Sequence, residues 1–341
     1  MKLPDPVNTI SGMIDKYHQD MASDKPRPHM GCSLLGHHCD RWLWLNFRWA
    51  VREDFEGRIL RVFRRGLMEE DVIVRDLRAI GIDIRFTGKR GQRTVDFGKF
   101  VSGSMDGIIE SGVPEAPKKR HVVEFKTHSK KSFEDLLKNG VEKSKPMHFV
   151  QMQVYMHGVD IDRALYFAIC KDDDRIYTER VRYDADVATK AIERGQRIAM
   201  SERMPEPVSG DPSWYQCKFC PAHSFCHKQE PTKYANCRTC AHATPLESSE
   251  WHCARHDAVI PQSFQTLGCD DHVLHPDMVP WPMIASEDGL SAMWKIGDKV
   301  IENGNKRGAY KSREIITNTQ AVGHPTVEET KRVFPDSEIV G

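Results

Sequence analysis

The sequence predicts an α/β protein that runs into a cysteine-rich, zinc-type module. Three observations carry this. Helical periodicity alternates with short β-branched and aromatic runs over the first two-thirds of the chain. Three short segments set acids, a lysine, a glutamine and a tyrosine at strand and helix spacing. Ten cysteines leave three scattered upstream and gather the rest into two groups after residue 216.

The elements follow in order. Ile10–Met21 is amphipathic, and a charged, proline-containing linker, Ser23–Pro28, follows it. Leu34–Val51 reads as helical, and Phe55–Ile80 as a helix or helix pair. Strands are expected near Ile82–Phe86, Arg93–Phe97, Val101–Ile109 and His121–Lys126. The last two are separated by Ser111–Lys119, with one glycine and two prolines, which suits a hairpin. Pro146 opens and Gly158 closes a helix. Strands Arg163–Cys170 and Ile176–Tyr183 come next, then a helix over Asp184–Glu202 and a linker, Pro205–Pro212. The tail offers two strand-like runs, Trp294–Ile301 and Tyr310–Ile316, joined through Asn303-Gly304-Asn305.

Composition bounds the function. At 341 residues the chain can bury a full core and carry one further module. Lys plus Arg and Asp plus Glu are both 49, so contact with nucleic acid has to come from local patches. Arg58, Arg61 and Arg65 form one candidate stripe. Lys130, Lys131, Lys138, Lys143 and Lys145 form another. No signal peptide and no apolar run of spanning length is present, so a cytoplasmic protein without membrane attachment is expected. Reduced thiols there favour metal binding over disulfides.

The chemistry concentrates in three segments. Gly103-Ser104-Met105-Asp106 ends one strand. In Val122–Thr127 side chains alternate, so Glu124 and Lys126 share one face while Val123 and Phe125 take the other. On the following helix Gln151 and Tyr155 stand at i and i+4, on one face. Two carboxylates beside a lysine suit a hard divalent cation, Mg²⁺ or Mn²⁺, that polarises a phosphate and acidifies a water. Lys126 can hold that water or offset transition-state charge.

Taken together, G-x-x-D, (D/E)-x-K and Q-x-x-x-Y in this order resemble the PD-(D/E)XK nucleases, specifically their RecB-like branch, over about residues 30–230. The resemblance implies a mixed central sheet flanked by helices, a restriction-endonuclease-like core. It implies metal ligation by Asp106, Glu124 and the Phe125 carbonyl, with Lys126, Gln151 and Tyr155 in the site. An acid a turn after a glycine on an upstream helix also belongs to the pattern. Glu70, four residues after Gly66, matches it, with Glu69 as the second candidate.

Cys217-x-x-Cys220 and Cys226 lack a nearby fourth ligand. Four thiolates suit a 4Fe-4S cluster or a structural zinc. The chain resembles RecB-like nucleases with an iron–sulfur cluster, such as AddB and the CRISPR-associated RecB-like nucleases. That resemblance implies a cluster held by Cys39, Cys217, Cys220 and Cys226, with Cys32 the alternative upstream ligand. Cys237, Cys240, Cys253 and Cys269 have ribbon-like zinc spacing apart from a long last gap. His242, His252, His256 and His272 are close enough in sequence to replace one of them. Cys170 reads as a buried small hydrophobe.

The expected organisation is an N-terminal segment (1–30), the nuclease core closed by the cluster (31–230), the zinc-type module (231–280) and a tail with a possible hairpin (281–341). The expected function is a Mg²⁺- or Mn²⁺-dependent DNA exonuclease acting from single-stranded or duplex ends in recombination, repair or phage DNA metabolism. A recombinase, annealing protein or replication protein is the expected kind of partner. The alternatives are a non-catalytic DNA-end or replication-complex binding protein, and an endonuclease or integrase-associated trimming enzyme.

Overall fold

The computed structural model describes residues 9–22, 26–285 and 289–339. Residues 1–8 and 23–25 of the expected N-terminal segment and its linker lie outside the described residues. In chain order the first elements are helix α1 (Ile10–Asp20), strand β1 (Met30–Gly31), α2 (Asp40–Phe47), α3 (Gly57–Ala79), β2 (Asp83–Arg85), β3 (Thr94–Asp96), β4 (Val101–Ser104), β5 (Gly107–Ser111) and β6 (His121–His128). Then come α4 (Lys130–Ser144), α5 (Pro146–Val159), β7 (Arg163–Cys170), β8 (Ile176–Arg182) and α6 (Ala185–Met200).

The main sheet has the order β2-β5-β6-β7-β8. It is mixed: β6 and β7 pair in parallel, and the other neighbours pair antiparallel. The parallel pair needs a crossover, which α4 and α5 supply. Gly140 has φ 71 at a kink inside α4, where the Val141 N–H donates to Glu179 Oε2 at 2.8 Å. The left-handed φ is why glycine sits there.

Both faces of the sheet are covered. Val123, Phe125, Leu165 and Phe167 pack on Ile73, Val74 and Leu77 of α3. On the other face Val122, Ala164, Tyr166 and Ala168 join Met152, Tyr155 and Met156 of α5. This agrees with a strand alternating between two cores rather than between core and water. Helix α5 is enclosed in the same way. Its residues from Gln151 through Met156 are all buried.

Two further departures are local. Val101–Ile109 is not one strand. It breaks at Met105 and Asp106, sending β4 into a small sheet with β1 and β3 and β5 into the main sheet. Leu34–Val51 is not one helix, since α2 begins only after Cys39, whose Sγ accepts the Trp42 N–H at its N-terminus.

After α6 come the short helices α7 (Tyr215–Lys218) and α8 (His223–His227), then a three-stranded sheet of β9 (Ala243–Pro245), β10 (Trp251–Cys253) and β11 (Ala258–Val259). Cys240, Ala243, Trp251, Ile260 and Met278 belong to the same hydrophobic cluster as α2, α5 and α6. Arg238 is fully buried and lies 3.8 Å over the Trp49 ring. It donates to the carbonyls of Phe47 and Pro28 and to Gln265 Oε1. Arg48, also buried, donates to the Arg238 and Ser201 carbonyls. Residues 231–280 are thus keyed into the main core by stacked guanidiniums whose donors reach carbonyls and an amide.

The tail has its own cluster around Trp294, Tyr310 and Ile315. Here β12 (Met283–Ala285), β13 (Ser291–Ile296) and β14 (Lys299–Gly304) form an antiparallel sheet, and β13–β14 is a hairpin turning at Gly297 with φ 61. Tyr310–Ile316 is not a strand. Helix α9 (Ser312–Thr317) starts there, where Glu314 Oε2 accepts the Lys311 N–H at 2.7 Å. A last helix, α10 (Pro325–Val333), brings Lys331 into a buried ion pair with Glu314. Among the described residues no helix is long and apolar enough to cross a membrane.

Candidate metal-dependent active site

The site forms where β5 stops short of the end of β6. The register pairs Gly107 with Val123, so β6 runs on past its neighbour. The Phe125 N–H, left without a strand partner there, donates to Asp106 Oδ2 at 2.9 Å. The break between β4 and β5 therefore carries an acid onto an open strand edge. Tyr155 fixes the break from above, its hydroxyl donating to the Ser104 carbonyl at 2.7 Å. Gly103 is required by close approach: a Cβ there would stand 2.9 Å from Cys32 Sγ and 2.9 Å from the Tyr155 hydroxyl.

Glu124 is fully buried. Its Oε1 is ion-paired with Lys126 Nζ, while Oε2 has no hydrogen-bond partner. Lys126 also donates to the Phe125 carbonyl at 3.1 Å and keeps 28% of its side chain exposed. Burial, then Asp106 and Glu70, push the Glu124 carboxyl up to about 8, against the opposing pull of Lys126. Burial, Asp106 and Asp71 push Glu70 up to about 7, again against Lys126. For Lys126 burial disfavours the charge, but Glu124, Asp106 and Glu70 outweigh it and its pKa rises. Glu70, Asp106, Glu124 and Lys126 thus form one electrostatic unit, three carboxylates around one ammonium. When all are ionised the excess is two negative charges, the complement of a divalent cation.

Gln151 is buried and hydrogen-bonded to Tyr155. It joins the site by way of the tyrosine that holds Ser104. Cys32 lies beside Gly103 and Tyr155, on the inner side of this site. The arginine stripe does not reach the site. Arg58, Arg61 and Arg65 lie on the side of α3 away from its buried Ile73, Val74 and Leu77. They line a groove with Arg64 and Arg75, where Arg61 pairs with Asp15 of α1 and Arg65 donates to the Lys171 carbonyl. Of the lysine patch, Lys145 is near the site but paired with Asp135, while Lys130, Lys131, Lys138 and Lys143 are exposed.

Cys39, Cys217, Cys220 and Cys226 line one pocket with Trp42 and His223. Burial comes first among the causes that raise the thiols of Cys217, Cys220 and Cys226, and Cys39 adds to each. The upstream cysteine in this group is Cys39, not Cys32. Cys237, Cys240, Cys253 and Cys269 line a second pocket with His242 and His272. Burial raises Cys237 to about 11 and Cys240 to about 12, with Cys253 and Cys269 adding to both. His242 Nε2 is buried without a partner there. His252 instead pairs with Asp257, and His272 bonds Ser312 and the Asn236 carbonyl. Among the described residues, no three His, Cys, Asp or Glu side chains stand ready to hold a metal ion as they are placed. The fit of each site to a metal therefore rests on its donor chemistry: gathered carboxylates with an orphaned oxygen of Glu124 in one, four gathered thiols in each of the other two.

Sequence reasoning passed over His128 and Tyr166 on the same sheet face, and His148 of α5 bonded to them. Tyr166 is the register partner of Glu124 on β7. Its hydroxyl contacts His128 Nε2 at 2.8 Å and His148 Nδ1 at 2.9 Å. His148 stands three residues before Gln151 and seven before Tyr155, a helical spacing that was there to be read.

No family model and no curated protein matches the chain. Among solved structures the chain is similar to SSO0001, with TM-score 0.40 and 17% identity over 64% of this chain and 96% of that one. It is similar to an alkaline exonuclease from Laribacter hongkongensis, with TM-score 0.37 and 15% identity over 51% and 87% of the two chains. It is also similar to a phage related exonuclease from Haemophilus somnus 129PT, with TM-score 0.27 and 18% identity over 39% and 65%.

Proposed function

We propose that the chain is a Mg²⁺- or Mn²⁺-dependent DNA exonuclease. The observation that carries this is Glu124: a fully buried carboxylate, ion-paired with Lys126 through Oε1 and with Oε2 lacking a hydrogen-bond partner, beside Asp106 and Glu70. Burying such a group is costly unless a cation or a proton satisfies it. Asp106, Glu124 and the Phe125 carbonyl would hold the ion. When bound, a divalent ion polarises a phosphate and lowers the pKa of an attacking water. Lys126, anchored between Glu124 and the Phe125 carbonyl, offsets charge that grows on the phosphate in the transition state. Glu70, beside Asp106 and Lys126, can accept the proton the water gives up. Tyr155 and Gln151 position the Asp106 loop.

In the same reading Cys39, Cys217, Cys220 and Cys226 hold a 4Fe-4S cluster, and Cys237, Cys240, Cys253 and Cys269 hold Zn²⁺. DNA ends are the substrate, with a recombinase, annealing protein or replication protein as partner. The test is digestion of end-labelled single-stranded and duplex DNA with Mg²⁺, Mn²⁺ or EDTA, products resolved over time. Mononucleotides appearing early, from the ends, and only with metal are expected. An uncut substrate would favour a DNA-end binding protein, and internal fragments an endonuclease.

A further inference from the structure

On the sheet face that carries Glu124 and Lys126, β6 continues to His128 and β7 contributes Tyr166. Four side chains are linked in a row: Ser132 Oγ to His128 Nδ1 at 3.2 Å, His128 Nε2 to the Tyr166 hydroxyl at 2.8 Å, and that hydroxyl to His148 Nδ1 at 2.9 Å. A tyrosine hydroxyl donates one hydrogen bond and accepts others. The chain of bonds can run in either direction, and its direction decides which nitrogen of His148 carries the proton. His148 Nε2 takes no part in it, and the ring is half-buried. Positive charge from Lys126, and from Lys145 at the foot of α5, bears on this ring.

We propose that His148 is a further substrate-binding residue, a neutral imidazole whose Nε2–H donates to a phosphate oxygen of the DNA strand, with Tyr166 and His128 as positioning residues that fix its tautomer. The inference rests on the nuclease reading. Two directions satisfy every bond, and binding a phosphate selects between them. Ser132 donates to His128 Nδ1, His128 Nε2–H donates to Tyr166, and Tyr166 donates to His148 Nδ1. Every group is then used once and the proton of His148 is left on Nε2, the nitrogen outside the chain of bonds. The reversed chain would present a bare lone pair, which repels a phosphate. Burial, then Lys126, hold His148 down to about 3, so it stays uncharged in this role. His148, Gln151 and Tyr155 lie within two turns of α5 and bear on the site in succession.

The experiment measures binding of an end-labelled oligonucleotide in Ca²⁺ by fluorescence anisotropy, alongside cleavage in Mg²⁺. His148→Ala is expected to raise Kd roughly tenfold, the loss of one hydrogen bond to a charged group. Tyr166→Phe should raise it by less. In the double variant Tyr166→Phe should add nothing further, since it acts through His148. His148→Asn, whose amide can also donate, should recover part of the affinity. Unchanged Kd in folded His148→Ala, or additive effects of the two substitutions, would overturn the inference. Wild-type protein that neither binds nor cuts DNA would instead overturn the nuclease reading beneath it.

Discussion

At the scale of single residues the site is a problem in charge balance. Glu124 and Glu70 titrate at about 8 and about 7 in the folded apo protein, against an unperturbed 4.5. A raised carboxyl pKa means that the folded state holds the proton more tightly than the unfolded one. The stability these groups contribute is therefore complete below about 4.5 and is lost as pH rises through 7 and 8. The melting temperature of metal-free protein should fall between about pH 5 and pH 8, added Mn²⁺ should reverse the fall, and Glu124→Gln should flatten the profile. Asp106→Ala should abolish cleavage while leaving the fold intact, as a steady-state assay beside a melting curve would show. Lys126→Ala should lower kcat by ~10²-fold or more with little change in DNA affinity in Ca²⁺. An equal loss of affinity would make Lys126 a phosphate clamp. These acids and the lysine were legible in the sequence because strand alternation puts Glu124 and Lys126 on one face whatever surrounds them. His148 was not, because its meaning depends on Tyr166 and His128, which only the β6–β7 register brings to it.

At the scale of elements the decisive feature is the break between β4 and β5. A continuous strand over Val101–Ile109 would alternate Asp106 as one more side chain. The break instead lets Asp106 turn onto the Phe125 N–H, with Tyr155 of α5 holding Ser104. Sequence periodicity reads straight through it, since Val101, Gly103, Met105 and Gly107 keep the alternation of a strand. Tyr155→Phe leaves the Ser104 carbonyl unsatisfied, at a cost of about 1–3 kcal/mol. It should weaken Mn²⁺ binding as well, which calorimetry would detect. Gly103→Ala sets a methyl against Cys32 and Tyr155 and should be destabilising by about 1–3 kcal/mol in denaturant melts. Helix α5 was recognised from Pro146 and Gly158, but its burial on all sides was not. Gln153 shows why: an apparently exposed amide is spent on the Arg182 carbonyl and the Asp184 N–H of its neighbours.

At the scale of the molecule, the four thiols at 237–269 are not hung on the end of a finished domain. Cys240 and Trp251 belong to the core that also holds α2 and α5, and Arg238 and Arg48 stack between the two. The sequence gives no sign of this, because the burial of two arginines depends on carbonyls and rings that lie some 190 residues apart along the chain. Cys240→Ser, by releasing the proposed zinc, should lower the melting temperature of the whole protein in a single transition. Cys39→Ser should do the same by a second route, with loss of iron but not of zinc on elemental analysis. Each is expected to cost several kcal/mol, as removal of a structural metal does. The central claim, a divalent cation held between Asp106 and Glu124, is tested most directly by calorimetric titration of Mn²⁺ into metal-free protein at pH 7, in two buffers of different ionisation heat. The account predicts binding that releases protons, because Glu124 and Glu70 hold them near that pH, and that disappears in Asp106→Ala. Binding of equal strength in Asp106→Ala, or none in the wild type, would contradict it.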